Sequence, residues 1–251
     1  MTTLEDDNFI YKYMSLDSFL FTLTSAVMLF QKVKNWPDRS EGYLFEFCKR
    51  NGIKRSEYSL DDYSGSCWTR HTENSSSFEN ESHFQDFQEE VLANGSATMW
   101  ASYCANGGVR IRSTIGIIRG LLSSKGLDVM HGQVEYRTIR SVDFDRMSLE
   151  DLLFIKNPAF RAEDEYRFLI RKKNQDGIVK IKTLGLRNFV DEIVICPNIA
   201  SDNWKSRSVF KLVIDYLLDI RDPKDLAYLQ NVRMSDLYSS ISEEMHEIGE
   251  I

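Results

Sequence analysis

Apolar and polar positions along this chain change period many times, and each change marks an element. "FIYKYM" predicts a first strand; "SLDSFLFTLTS" has helical spacing, with Ser15 as N-cap and Phe19, Leu20 and Leu23 on one side. "AVMLFQKV" is β-rich and ends near Asn35 in the loop "NWPDRSEG", because Pro37 cannot sit in a central strand. Tyr43 to Lys54 is helix-like, "SGSCWTR" is a strand, and "HTENSSSFENES" is a polar loop without apolar period. "HFQDFQEEVLANG" puts Phe84, Phe87, Val91 and Leu92 on one helical face and stops at Asn94-Gly95. "SATMWASYCANGG" is a second short helix, "VRIRS" a strand, "IGIIRGLLSSKG" a helix, "GQVEYRTI" a strand and "MSLEDLLFIK" a helix.

Phe160 to Ile170, "FRAEDEYRFLI", is expected as another strand, paired with "GIVKIKTL" across the Asp-Gly turn of "NQDG". "DEIVICP" is a buried-type strand, "SRSVFKLVIDYLLDI" a long amphipathic helix, and "LQNVRMSDLYSSI" a strand followed by a helix. No linker, repeat or composition break interrupts residues 1–251. The expectation is one α+β domain with a mixed, largely antiparallel sheet.

The stretch at 160–170 raises a chemical question. Alternation puts Arg161, Glu163, Glu165, Arg167 and Leu169 on one face, with the two glutamates about 7 Å apart at the backbone. This is either a wet outer face, with Lys180 and Lys182 of the next strand pairing with the acids, or a site. Two carboxylates so placed interact, and one holds its proton more tightly. Such a pair suits work on a sugar: one stabilises an oxocarbenium-like centre while the other orients or deprotonates the nucleophile.

Other chemistries lack their residues. There is no Walker-type loop, no G-x-G-x-x-G after a strand and no G-x-S-x-G elbow, and "ANGGVR" sits at a helix end. His71, His83, His131 and His246 never pair at i, i+4, so no zinc hydrolase is expected. A metal-dependent nuclease using Glu163, Asp164 and Glu165 ranks last, because adjacent strand residues point to opposite faces. Composition agrees with a globular protein, at 42% hydrophobic and 27% charged, and a net charge of -7 argues against general coating of polyanions. "CKRNGIKR" and "RKKN" leave a local nucleic-acid contact open. Cys48, Cys67, Cys104 and Cys196 have no zinc-type spacing and are expected as reduced, mostly buried thiols. "MTTLEDDNF" lacks the layout of an export signal, and "SFLFTLTSAVMLF" is too short to span a bilayer, so a soluble cytoplasmic protein without membrane partner is expected.

Remaining candidates are Tyr11 and Tyr13 on one face of the first strand with Lys12 opposite, the loop residues Asn35, Asp38, Arg39 and Glu41, Trp68 and Thr69 at a strand end, and Trp100 with Tyr103. Each alone is equally well packing or a turn.

Their order carries more. Tyr-Lys-Tyr, the loop with Asn35, Pro37, Asp38 and Glu41, "CWT", "MWASY" with "GGVRI", and finally "EDEYR" resemble a widespread bacterial family of unknown function. Its members show a Tyr-Arg/Lys-Tyr start, an Asn-Asp-Pro-Phe-Glu-like loop, a Met-Trp-x-x-Tyr segment and a late Glu-x-Glu-x-Arg. The likeness runs from Phe9 to "DEIVICP", with the loop order scrambled in "NWPDRSE". The same layout looks like the mono-ADP-ribosyltransferase superfamily. That resemblance implies a split sheet with flanking helices over residues 1–251, gripping NAD between half-sheets, with NAD as substrate and no metal. It implies Glu165 as the essential acid at the nicotinamide ribose and Glu163 as the acid that positions the acceptor. It also implies Tyr11, Lys12, Tyr13, Ser15, Asn35, Asp38, Thr69 and Tyr103 around the cofactor, Lys12 standing where His or Arg is usual. Members of the superfamily serve bacteria as toxins and phage-defence effectors, which implies a protein or nucleic-acid acceptor and an antitoxin partner. The rival from the residues themselves is a non-catalytic binding protein whose acids only pair with arginines.

Overall fold

The computed structural model describes residues 5–36, 38, 41–72, 81–173, 177–197 and 231–237. The helix expected over 206–220, the part beyond Leu237 of the helix expected after Met234, residues 73–80 of the polar loop, 174–176 of the Asp-Gly turn, Pro37, Arg39 and His246 lie outside them. The chain forms two compact units.

The first unit is Met1–Ile10, Ala26–Arg70 and Thr114–Leu184. Its strands are β2 (Val27–Lys32), β3 (Tyr63–Thr69), β5 (Val129–Gln133), β8 (Glu165–Arg171) and β9 (Val179–Lys182). They pair antiparallel in the order β9, β2, β3, β8, β5. A short parallel pair, β6 (Glu135–Tyr136) with β7 (Ile155–Lys156), stands beside them, with helices α2 (Tyr43–Arg50) and α5 (Ile115–Ser123). Trp36, Phe45, Tyr63, Leu152, Leu153 and Leu169 lead the apolar core. Gly65 of β3 makes room for it: a Cβ there would lie 2.4 Å from Trp36 Cζ2 and 2.8 Å from Leu169 Cδ2.

The expected hairpin between β8 and β9 does not form. β8 is flanked by β3 and β5, and β9 pairs with β2 instead. The physical reason is burial: six of the seven β8 residues are buried, so this strand needs sheet on both sides and packing on both faces. β9 alternates buried and exposed, as an outer strand does, and carries Lys180 and Lys182 outward. These lysines are therefore not the cross-strand neighbours of the acids, and the face bearing Glu165 and Arg167 is not a wet one.

Two further elements are shorter than their periodicity implies. "GQVEYRTI" splits into β5, which begins earlier at Val129, and β6. "MSLEDLLFIK" gives a single 3-10 turn, Asp151–Phe154, and then β7. Ser148 and Asp151 cap each other (2.7 and 3.1 Å), but one turn suffices to bury Leu152 and Leu153.

The second unit is Tyr11–Ser25, His71–Ser113 and Gly185–Ile251. Residues 11–15 of β1 (Phe9–Ser15) lie beside β4 (Gly108–Thr114), which pairs antiparallel with β10 (Glu192–Ile195). β10 in turn pairs parallel with β11 (Val232–Met234). Helices α1 (Leu16–Ser25), α3 (Glu81–Asn94) and α4 (Ala97–Tyr103) accompany them. Ser15 caps α1 as expected, its Oγ accepting from Ser18 N–H at 3.3 Å. Tyr11, Tyr13, Met99, Trp100 and Val194 form the core. Among the described residues the protein is thus a mixed α/β fold, largely antiparallel, with flanking helices, and its helices are too short or too polar to cross a membrane.

Candidate active site

The segment leading into β8 is a corner rather than a strand. Asn157 accepts from Ala159 N–H at 2.9 Å and Pro158 fixes the first φ, so the chain starts a 3-10 helix at Pro158–Glu163. It ends at Asp164, which sits in the left-handed region at φ 39, ψ 56, a conformation Asp tolerates better than most residues. The strand begins only at Glu165.

This corner brings both acids of "EDE" to one ammonium. Lys156 Nζ at the end of β7 lies 2.7 Å from Glu163 Oε2, 3.1 Å from Glu165 Oε2 and 2.8 Å from Glu41 Oε1. Arg167, two residues along β8, closes the network. Its Nε and Nη2 donate to Glu165 at 2.7 and 3.0 Å, Nη2 donates to Glu41 at 2.9 Å, and Nη1 donates to Leu153 O at 2.5 Å. The guanidinium lies over the Trp36 ring, 4.6 Å from its centre. Tyr136 OH accepts from the Glu165 backbone N–H at 2.8 Å. Thr69 stands directly opposite Glu165 in the β3–β8 ladder, so their side chains share a face. Thr69 is buried, and its Oγ1 has no partner among the described residues.

Three carboxylates and two cations in a nearly dry setting must divide their protons. Burial alone would raise the Glu165 carboxyl, but Arg167, by charge and hydrogen bond, and then Lys156 hold it down to about 2. Glu41 moves the other way, raised by burial and by the nearby charge of Glu165 against Arg167 and Lys156. Lys156 and Arg167 are both raised by the carboxylates, which outweigh their burial. Glu165 is 3% exposed, while the Glu163 side chain, at 18%, is the acid that reaches solvent. Phe160, itself exposed, covers Lys156 at 4.9 Å from its ring centre. Asp164 turns away and accepts from Gln133 Nε2 at 3.1 Å. No group of three or more His, Cys, Asp or Glu side chains suited to a metal ion occurs among the described residues; an ammonium holds the middle of this cluster.

The other candidate residues fall as follows. In the first unit Asn35 is exposed at the end of a 3-10 turn and Asp38 is half-buried, its carbonyl accepting from Glu41 N–H at 3.1 Å. In the second unit Tyr11 and Tyr13 share a buried face, Lys12 is half-buried, Ser15 is the helix cap, and Tyr103 is 44% exposed. The two tyrosines meet His71. Tyr13 OH accepts from Ser96 N–H at 2.8 Å and lies 2.9 Å from His71 Nε2, and the Tyr11 and His71 ring centres are 5.1 Å apart. Burial, then the charge of Arg110, depress the His71 imidazole to about 3, and burial pushes the Tyr13 phenol up to about 12. Both are neutral at pH 7, so the contact is a neutral hydrogen bond between phenol and imidazole. Arg110 is fully buried above Tyr11, 4.7 Å from its ring centre. It donates to the carbonyls of Val91 (2.9 Å), Leu92 (2.7 Å) and Ala93 (3.0 Å) at the end of α3.

Lys156, His71 and Arg110 are the residues that sequence reasoning did not single out as site groups, and Glu41, a candidate from its loop, was not linked there to the acids of "EDE". For Lys156 a signal existed: a lysine ending the apolar run "LLFIK" is either a solvated end or a buried partner for acids.

No family model matches this chain, and neither does any curated protein. Among solved structures, Thermus sp. 2.9 DarT in complex with NAD+ aligns over 95% of this chain and 100% of that one, at 13% identity and a TM-score of 0.39. At that distance the two backbones diverge too far for any residue of one to be carried onto the other.

Proposed function

We propose that this protein transfers ADP-ribose from NAD to a macromolecular acceptor, with Glu165 and Glu163 as its acids. The observation that supports this reading is the shared cation. Glu165 is kept ionised and immobile by Arg167 and Lys156, and Glu163, joined through the same Lys156, is presented at the surface. A fixed negative charge is what a developing ribosyl cation requires, and because it is already oriented, no reorganisation is needed as charge forms. In the reaction the C1′–N bond of the nicotinamide ribose breaks and neutral nicotinamide leaves with the electron pair. The acceptor oxygen or nitrogen forms the new bond at C1′, and its proton passes to Glu163. Phe160 offers an exposed aromatic face beside these acids for a planar ring. The acceptor is a protein or a nucleic acid, and the role is that of a bacterial toxin or anti-phage effector held in check by an antitoxin, acting in the cytoplasm.

A second reading, a non-catalytic binding protein, is favoured by a different fact: both Glu165 oxygens are already engaged by donors. One experiment separates the two. Purified protein is incubated with 32P-labelled NAD and separate pools of protein, RNA and DNA, alongside Glu163→Gln and Glu165→Gln. Transfer by the wild type, lost in a folded Glu163→Gln, fits the enzyme; no transfer by the wild type to any pool fits the scaffold.

A further inference from the structure

Among the described residues the outer edge of β5 has no strand paired to it. Along residues 128–137 the even positions bond to β8: Asp128 O accepts from Arg171 N–H at 3.0 Å and Val134 N–H donates to Glu165 O at 2.8 Å. The odd positions therefore direct their N–H and C=O groups away from β8. At Arg137 that outward N–H is taken by β7, donating to Lys156 O at 3.0 Å. At Val129, His131 and Gln133 no backbone partner occurs among the described residues, because the chain leaves the edge through the 3-10 turn Asp151–Phe154.

An open cavity of about 770 Å³ occupies the place where β7 would have continued. Its floor is Met130, Met147 and Phe154. Gly132 faces Phe154 with no side chain of its own; a Cβ there would lie 3.7 Å from the Phe154 ring, an ordinary contact. Its charged lining has four carboxylates and two guanidiniums. Arg137 and Arg146 are matched by Glu135 (2.7 Å) and Asp143 (3.4 Å), and Glu150 is held by Arg171 (3.5 Å) and by Tyr63 OH (2.8 Å), which leaves the charge of Asp151 in excess. Edges are usually blunted by lysine, proline or a bulge; β5 carries none of these and a glycine instead, which admits a second backbone.

We infer that this edge binds an extended, basic peptide segment of a partner protein, added as a strand in line with β7. Its outward amides pair with Val129, His131 and Gln133, an apolar side chain enters over Met130 and Phe154, and a lysine or arginine side chain meets Asp151. The inference does not rest on the proposed transferase activity.

The test selects a phage-displayed library of random heptapeptides on the full-length protein. Enriched peptides are synthesised with a fluorescent label and measured by anisotropy on wild type, His131→Pro and His131→Ala. Proline at 131 removes an outward donor and leaves the β8 ladder intact, so it should weaken binding by roughly tenfold, with His131→Ala near wild type. Amide exchange at 129, 131 and 133 should slow when the peptide is bound to wild type. No enrichment, enrichment of acidic sequences, equal loss in His131→Ala, or unchanged exchange at the three amides each overturns the inference. So does concentration-dependent self-association of the free protein that protects the same amides, which would make a second copy the occupant.

Discussion

Replacing Glu165 by glutamine removes one buried carboxylate and leaves Arg167 and Lys156 with only Glu41 and Glu163 to satisfy them. The carboxyl is held at about 2 against an ordinary 4.5, and a shift of that size corresponds to about 3 kcal/mol of folded-state preference for the ionised form. The sign follows from the depressed value. This stabilisation is complete above about pH 4.5 and drains as pH falls toward 2. Breaking a buried pair from one side costs about 3–5 kcal/mol, so the two routes agree in size. Guanidinium chloride unfolding at pH 6, 4.5 and 3, followed by tryptophan fluorescence, measures it. Wild type should exceed Glu165→Gln by about 3 kcal/mol at pH 6, with the gap closing by about 2 kcal/mol between pH 4.5 and 3. A gap that stays constant to pH 3 would refute the placement of an ionised Glu165 between the two cations.

Gly65→Ala should destabilise the first unit by about 1–3 kcal/mol and shift Trp36 emission, since its methyl collides with the indole that carries Arg167; thermal unfolding with fluorescence detection reads both. Tyr13→Phe leaves His71 Nε2 and Ser96 N–H without their partner and should cost about 1–3 kcal/mol by urea unfolding. In the parent protein the His71 imidazole should show no titration by NMR between pH 8 and about 5, its folded value being depressed. Arg110→Lys should cost about 3 kcal/mol and speed amide exchange at the end of α3, because one ammonium cannot reach three carbonyls and Glu192 together.

Elements whose signals are local were legible in the sequence. "FIYKYM" lies within β1, Ser15 precedes a helical apolar face, and Asn94-Gly95 ends α3, Gly95 lying at φ 88. What escaped depends on distant partners. The Asp-Gly turn pointed to a β8–β9 hairpin, yet β8 is claimed on both sides by β3 and β5, segments whose affinity for it no local pattern records. The site was half legible. Glu163, Glu165 and Arg167 stand together in one short stretch, so alternation could put the last two on one face. Glu41 and Lys156 come from segments more than 100 residues apart, and only the folded chain joins them. The corner at Asp164 was hidden as well, because a single residue in the left-handed region leaves no mark on a period of two.

That corner has a consequence for how the two acids are related. Their convergence depends on a bend in the main chain, so spacing along the sequence is a poor guide to their separation in space. A branched residue such as valine at 164, which resists this backbone conformation, would swing the outer glutamate away while leaving the inner one seated. The pair can in that way be uncoupled without altering either carboxylate, and the contribution of proximity itself becomes a separate quantity from the contribution of charge.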